Sequence, residues 1–159
     1  MSVAFTREED SESQAADLPD RPLSPHPNLV TANGLAAIEA QLAAARAAYG
    51  AAQSLGQVST DRTAMARATR DLRYWSARRA SAKLTEPAPQ ADTVQFGRIV
   101  EFEREDGRRQ AFRIVGEDEA DPANGSVSYV SPVARALSGK RVGDSGSLNG
   151  AEVEIVAVR

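Results

Sequence analysis

Residues 35–53 read LAAIEAQLAAARAAYGAAQ, and their periodicity decides the first half of the fold. Apolar side chains fall at Leu35, Ile38, Leu42, Ala45, Tyr49 and Ala52, so steps of three and four alternate. That is the seam of an α-helix packed on a partner helix. Alanine, the strongest intrinsic helix former, fills most positions between them. Thr31 suits the N-cap, and Leu55-Gly56 suits the far end, because glycine favours the left-handed residue that closes a helix. A second seam follows at Met65, Ala68, Leu72, Trp75, Arg79 and Ala82, with Ser59 or Thr60 placed to cap it. Each helix is expected to run about 24 residues, or ~36 Å at 1.5 Å per residue. The short link between them makes them antiparallel. Residues 29–84 therefore read as a helical hairpin whose tip holds Gly56, Gln57, Ser59, Thr60 and Asp61, followed by Arg62. An alanine-rich seam buries little apolar area, so the hairpin must lean on something else.

The period then changes from 3.6 to two. TEPAPQAD, residues 85–92, has two prolines and no periodicity and reads as a linker. Beyond it Phe96, Arg98, Val100 and Phe102 alternate with Gly97, Ile99, Glu101 and Glu103, as on a half-buried strand. Glu105-Asp106-Gly107 is a turn signal. Phe112 with Ile114, Val127 with Tyr129, and Val153, Ile155 and Ala157 mark further strands. Ser131-Pro132 opens a short helix, PVARAL, with serine as N-cap and proline in the first turn. Residues 93–159 thus read as a compact α+β domain with an antiparallel sheet and one helix. Glycines 107 and 116 read as turns; no phosphate-binding glycine motif occurs. Glu101 and Glu103 share a strand face and read as solvent-facing.

Residues 1–28 are acidic and proline-punctuated, with four prolines in DLPDRPLSPHPN. Proline lacks an amide donor and biases its predecessor away from helix, so this arm is expected to be extended or disordered. His26, between two prolines, reads as an exposed linker residue.

Composition narrows the function. The 159 residues hold no cysteine and one histidine. The lack of cysteine excludes disulfide frameworks, thiolate zinc sites and cysteine nucleophiles, and the single histidine argues against a multi-histidine metal site or a Ser-His-Asp triad. No metal site and no catalytic constellation of the chain's own is expected. No run approaches 18 apolar residues and the first residues lack an apolar leader core, so the expectation is a cytoplasmic protein that does not meet a membrane. The net charge of −3 hides an asymmetry: −4 over residues 1–28, +5 over 29–84 and −4 over 85–159. The hairpin's second arm carries Arg62, Arg67, Arg70, Arg73, Arg78, Arg79 and Lys83. This is either a solvated helix face or a rod made to lie among phosphates or carboxylates, in nucleic acid or a charged channel.

The carboxy-terminal motifs carry a family resemblance. FRIVGEDEAD (Phe112–Asp121) and SPVARALSGKRVGD (Ser131–Asp144) strongly resemble the carboxy-terminal domain of the GreA/GreB transcription factors, and FGRIVEFEREDG (Phe96–Gly107) fits the same pattern. LVTANGLAAIEAQL (Leu29–Leu42) resembles the family's entry into its coiled coil, and SLG (Ser54–Gly56) with RDLRYW (Arg70–Trp75) resembles the GreB branch. The resemblance implies an FKBP-like carboxy-terminal fold. It also implies docking on the rim of the secondary channel of bacterial RNA polymerase, with the coiled coil in the channel. Asp118, Glu119, Ala120 and Asp121, with Ser131 and Pro132, are the docking residues it implies. Carboxylates there suit basic side chains on a partner. The family acts on paused or backtracked complexes by stimulating the polymerase's own RNA cleavage. Two tip carboxylates help hold a second Mg²⁺, a hard cation that prefers oxygen. The factor itself has no cofactor and works beside the polymerase Mg²⁺, with nascent RNA or DNA close by.

The chain departs from the family at the tip. Anchored on SLG, Gln57 and Thr60 stand where the two acids belong; anchored on Ala82-Lys83-Leu84, Gly56 and Ser59 do. The segment between SLG and RDLRYW is also about four residues short, ~3 Å less reach when shared by two arms. Asp61 is the acid left, beside Arg62. It reads either as a displaced metal ligand or as a residue satisfying a helix N-terminus. The resemblance therefore implies a monomeric polymerase-binding elongation factor whose cleavage chemistry the tip does not support. The alternatives are a non-cleaving relative that competes for the channel, a peptidyl-prolyl isomerase on the FKBP-like fold, and a coiled-coil interaction module.

Overall fold

The computed structural model describes residues 18–55 and 62–159. They divide into two compact units. One holds residues 38–81 with the described part of the amino-terminal segment, 18–25; the other holds residues 26–37 and 82–159. The stretch before the first helix, the start of that helix and the whole 85–92 linker thus fall with the carboxy-terminal domain.

The hairpin helices are α1, Ala32–Ser54, which lies in the first unit from residue 38 on, and α2, Arg62–Ser81, of 23 and 20 residues. The α1 seam is as read: Ile38, Leu42 and Ala45 are buried, and Leu35, Tyr49 and Ala52 half-buried. On α2, Ala68 is buried and Met65, Leu72 and Trp75 are half-buried. The last seam position is Arg78, 3% exposed, not Arg79. Both follow Trp75 at helical spacing. A long arginine stem can fill a seam position, and Arg79 instead reaches across to Glu39 of α1 at 2.8 Å. At the helix ends Ser54 and Ser81 donate to the carbonyls of Gly50 and Ala77, four residues back, at 3.0 and 2.9 Å. Carbonyls without helical partners are common in such last turns, and the hydroxyls add donors there.

The segment 18–25 is not the free arm expected. The Arg21 guanidinium lies over the Tyr74 ring at 3.8 Å and within 5.2 Å of Trp75. It pairs with Asp71 at 3.5 Å, and Asp20 takes Arg73 at 3.1 Å. Prolines 19, 22 and 25 fix φ in an extended run, so docking it costs less conformational entropy than ordering an ordinary polar segment. The remainder of the arm, 1–17, lies outside the described residues.

The second unit begins with β1, Leu29–Val30, paired parallel to β2, Lys83–Leu84. Its main sheet has β3 (Ile99–Arg104), β4 (Arg109–Val115), β5 (Ser126–Ser128), β6 (Ser145–Leu148) and β7 (Ala151–Val158), in the order β5-β4-β3-β7-β6. The short helix α3 is Pro132–Leu137, and the Ser131 hydroxyl accepts from the Ala134 amide at 3.2 Å, the cap expected. Val94, Val100, Phe102, Ile114, Val127, Ala134, Leu137, Leu148, Val153 and Ile155 form one buried cluster between sheet and helix. The β3–β4 turn is also as read: Gly107 has φ +81°, and the Arg108 amide donates to Asp106 at 3.0 Å. That backbone hydrogen bond, first, and the Arg108 side chain hold the Asp106 carboxyl below its ordinary range.

Three readings are revised. The sheet is not wholly antiparallel, since β5 runs parallel to β4. Ten residues separate the two strands, enough to carry the chain back past β4. The first strand starts at Ile99, and Arg98 turns back to donate to the Ala88 and Pro89 carbonyls. The 85–92 linker is thereby laid on the domain, with Pro87 packed where a Cβ on Gly97 would stand 2.9 Å from it. Glu101 and Glu103 are not simply solvated: Glu103 accepts from Arg109 at 2.7 Å, and Glu101 from Arg159 at 3.3 Å. The Glu103 hydrogen bond raises the Arg109 pKa above its ordinary value.

Candidate functional site

The parallel pairing of β4 with β5 sets the geometry of the site. Parallel strands leave a sheet at the same end. Val115 is in register with Ser128, and the Tyr129 amide donates to the Val115 carbonyl at 2.9 Å. The chain that follows β4, residues 116–121, and the chain that follows β5, residues 129–132, thus emerge side by side. An antiparallel β5 would have put Ser131-Pro132 at the other end from the acidic loop. The structure brings the sequence-predicted docking residues to one end of one sheet.

They are not equivalent there. The Glu119 and Ala120 amides both donate to the Gly116 carbonyl, at 3.3 and 3.2 Å, closing a tight turn. The Asp121 carboxylate accepts from Asn124 at 2.6 Å, and the Asp121 and Ser126 backbones exchange hydrogen bonds at 3.1 Å. The Glu119 carboxylate accepts from the Thr31 hydroxyl at 2.6 Å. The Ser131 hydroxyl is taken up in capping α3. Asp118 is half-buried on the turn and Pro132 is exposed. Pro132 thus offers a free apolar face, whereas Glu119, Asp121 and Ser131 have internal duties. The partner of Glu119 was not legible in sequence; the signal available was Thr31 with Gly34 three residues on, a cap with room for a second group.

The basic face of α2 is likewise partly neutralised. Arg73 pairs with Asp20, and Arg70 lies 3.6 Å from Asp71. Arg62 and Arg67 are exposed. Of the basic-face residues Arg62, Arg67, Arg70 and Arg73, the latter two have Asp20 and Asp71 among their guanidiniums. The tip residues Gly56, Gln57, Ser59, Thr60 and Asp61 lie outside the described residues. On the main sheet Glu103, Glu105, Glu152 and Glu154 line an open depression beside Arg104 and Ser145. Sequence showed half of this acidic set, since β7 supplies the rest from fifty residues away. Among the described residues no group of three or more acids and histidines is arranged to hold a metal ion. No helix among them is long and apolar enough to cross a membrane.

Comparison with known proteins agrees with the carboxy-terminal motifs. Residues 88–159 match the family model "Transcription elongation factor, GreA/GreB, C-term". Transcription elongation factor GreB of Neisseria meningitidis serogroup B is 39% identical over 95 residues, covering 56% of this chain and 58% of that protein. Transcription elongation factor GreA of Geobacillus kaustophilus is 45% identical over 73 residues, covering 43% and 46%. The matches span about half the length of these relatives. The solved GreA factor homolog 1 (Gfh1) protein of Thermus thermophilus is 24% identical over 84% of this chain and 99% of that chain; at a TM-score of 0.40 it supports no argument about the whole chain. What does is the domain built around the β4–β5 pair, with its acidic turn and its Ser-Pro helix cap: residues 88–159 are similar to the carboxy-terminal domain of the GreA/GreB transcription elongation factors.

Proposed function

We propose that the protein is a transcription elongation factor that binds bacterial RNA polymerase at the rim of the secondary channel and places its helical hairpin in that channel without stimulating RNA cleavage. The carrying observation is the family match of residues 88–159, in which the acidic turn and Ser131-Pro132 share one sheet end. Asp118 supplies charge and Pro132 an exposed apolar contact, a combination that gives register and on-rate on a basic partner surface. The loss of cleavage rests on the tip sequence. Gln57 and Thr60, or Gly56 and Ser59 in the other register, offer no pair of carboxylates to a second Mg²⁺. The chain is then an occupant of the channel that competes with cleavage-competent relatives.

Co-elution with core polymerase at low salt tests the docking. The wild type is expected to co-elute, and Asp118→Arg and Pro132→Ala to weaken it while melting as the wild type does. Unchanged binding in both variants rejects the docking assignment. Stalled complexes with backtracked RNA test the chemistry. No shortened transcript is expected, and excess protein should slow shortening by a cleavage-competent relative. Mg²⁺-dependent shortening that is lost in Asp61→Ala would reject the inert tip.

A further inference from the structure

Thr31 stands immediately before α1, and its hydroxyl makes two bonds. Oγ1 accepts from the Gly34 amide at 3.0 Å, the N-cap bond, and donates to Glu119 Oε2 at 2.6 Å. A hydroxyl has one proton and two lone pairs, so the two bonds coexist and polarise each other. The Glu119 carboxylate lies close on the first turn: a Cβ added to Gly34 would stand 2.5 Å from Oε2. The first turn of α1 has no acidic residue of its own. Glu119 brings from 88 positions along the chain the negative charge that a helix N-terminus favours. The chain leaving β4 and the chain leaving β5 hold the preceding backbone as well, since Gly116 packs against the Leu29 carbonyl and Tyr129 Oη donates to the Pro27 carbonyl.

We infer that Glu119 is a positioning residue and not a docking contact: through Thr31 its carboxylate completes the cap of α1, so the turn that carries Asp118 and the first turn of the hairpin's first helix share one side chain. The role in docking rests on the proposed function; the cap does not. An outside cation that drew Glu119 away would have to break a short charge-assisted bond. The residue is therefore set aside for the fold while Asp118, next to it, meets the partner.

A melting cycle on the full chain, read together with co-elution, tests this. Glu119→Ala is expected to lower the melting midpoint by about 4 °C. In a Thr31→Val background, where the hydroxyl is gone, the same change should lose at least half its effect. Glu119→Gln keeps an acceptor for Thr31 and removes the charge; it should restore most of the midpoint and co-elute with polymerase as the wild type does. Equal Glu119→Ala shifts in both backgrounds would overturn the cap. So would a Glu119→Gln variant that melts normally yet loses polymerase, because that residue would then be a charged docking contact. If the wild type itself fails to co-elute, the docking reading falls and the melting cycle still decides the cap.

Discussion

Gly116 shows what one atom decides in this fold. The sequence reads it as a turn glycine, and it does begin the turn that carries Glu117–Asp121. Yet a positive φ is not its reason, for it is absent from the left-handed glycines that include Gly107 and Gly125. Its reason is approach: an added Cβ would run into the Leu29 carbonyl oxygen, with Val30 Cα in contact behind it. Those atoms are backbone of β1, fixed by pairing with Lys83 and Leu84, and Val30 is 2% exposed. They cannot swing aside as a side chain would. Gly116→Ala is therefore expected to cost about 1–3 kcal/mol, as overpacking does, and to lower the melting midpoint by at least about 4 °C. Gly107→Ala, with open space around its Cβ position, should cost only the strain of a left-handed alanine, about 1 kcal/mol. Equal losses in the two variants would show that conformation, not contact, selects glycine at 116. Motif reading found Gly116 and Glu119 but not their duties, because Leu29 and Thr31 lie more than eighty residues away and no local pattern encodes them.

At the scale of elements, what was legible is what is local. The α1 seam, the α3 cap, the Glu105–Gly107 turn and the core face of β3 follow from spacing within a dozen residues. The parallel β5 and the strand β6 do not. Pairing direction is set by a ten-residue connection, and SGSL has little β propensity and is held as an edge strand by β7, with Gly146 close under Leu137. The packed segment 18–25 was hidden for the same reason: its composition states what it avoids, helix and core, and Tyr74, Trp75 and Asp71 lie some fifty residues on. Arg21 is its anchor. The ion pair with Asp71 is more than one-third exposed and that between Asp20 and Arg73 more than half, so each is worth about 0–1 kcal/mol. The stacked guanidinium adds about 0.5–1 kcal/mol. Trp75 is the chain's single tryptophan, so tryptophan emission comes from the residue beside this contact. Arg21→Ala is expected to change the emission of the native protein and remove its salt dependence, with a melting loss of about 1 kcal/mol. An emission spectrum identical to wild type at low salt would show that the segment does not lie on α2 in solution.

At the scale of the whole molecule the charge pattern and the tip have to be read together. A segment of +5 between two of −4 suits a rod that enters an anionic place while its anchor meets basic groups. Asp20 and Asp71 temper that rod along Arg70 and Arg73. A factor of this design that kept two tip carboxylates would bring them to the polymerase Mg²⁺. The sequence of this chain has Gln57 and Thr60 there in one register, and about four residues fewer than the GreB pattern, ~3 Å of expected reach. The proposed lack of cleavage thus has two candidate causes, missing ligands and missing length, and substitution separates them. Gln57→Asp with Thr60→Glu restores the ligands alone. Mg²⁺ coordination tolerates little misplacement, so the expected result is detectable Mg²⁺-dependent shortening of backtracked RNA, well below the rate of a cleavage-competent relative. Lengthening the same variant by four residues should raise it further. Should the double variant bind polymerase normally and release no shortened RNA while the lengthened one does, reach is the governing cause. Silence from both, with binding intact, would mean that the hairpin does not deliver its end to the metal site, and the channel reading would fall.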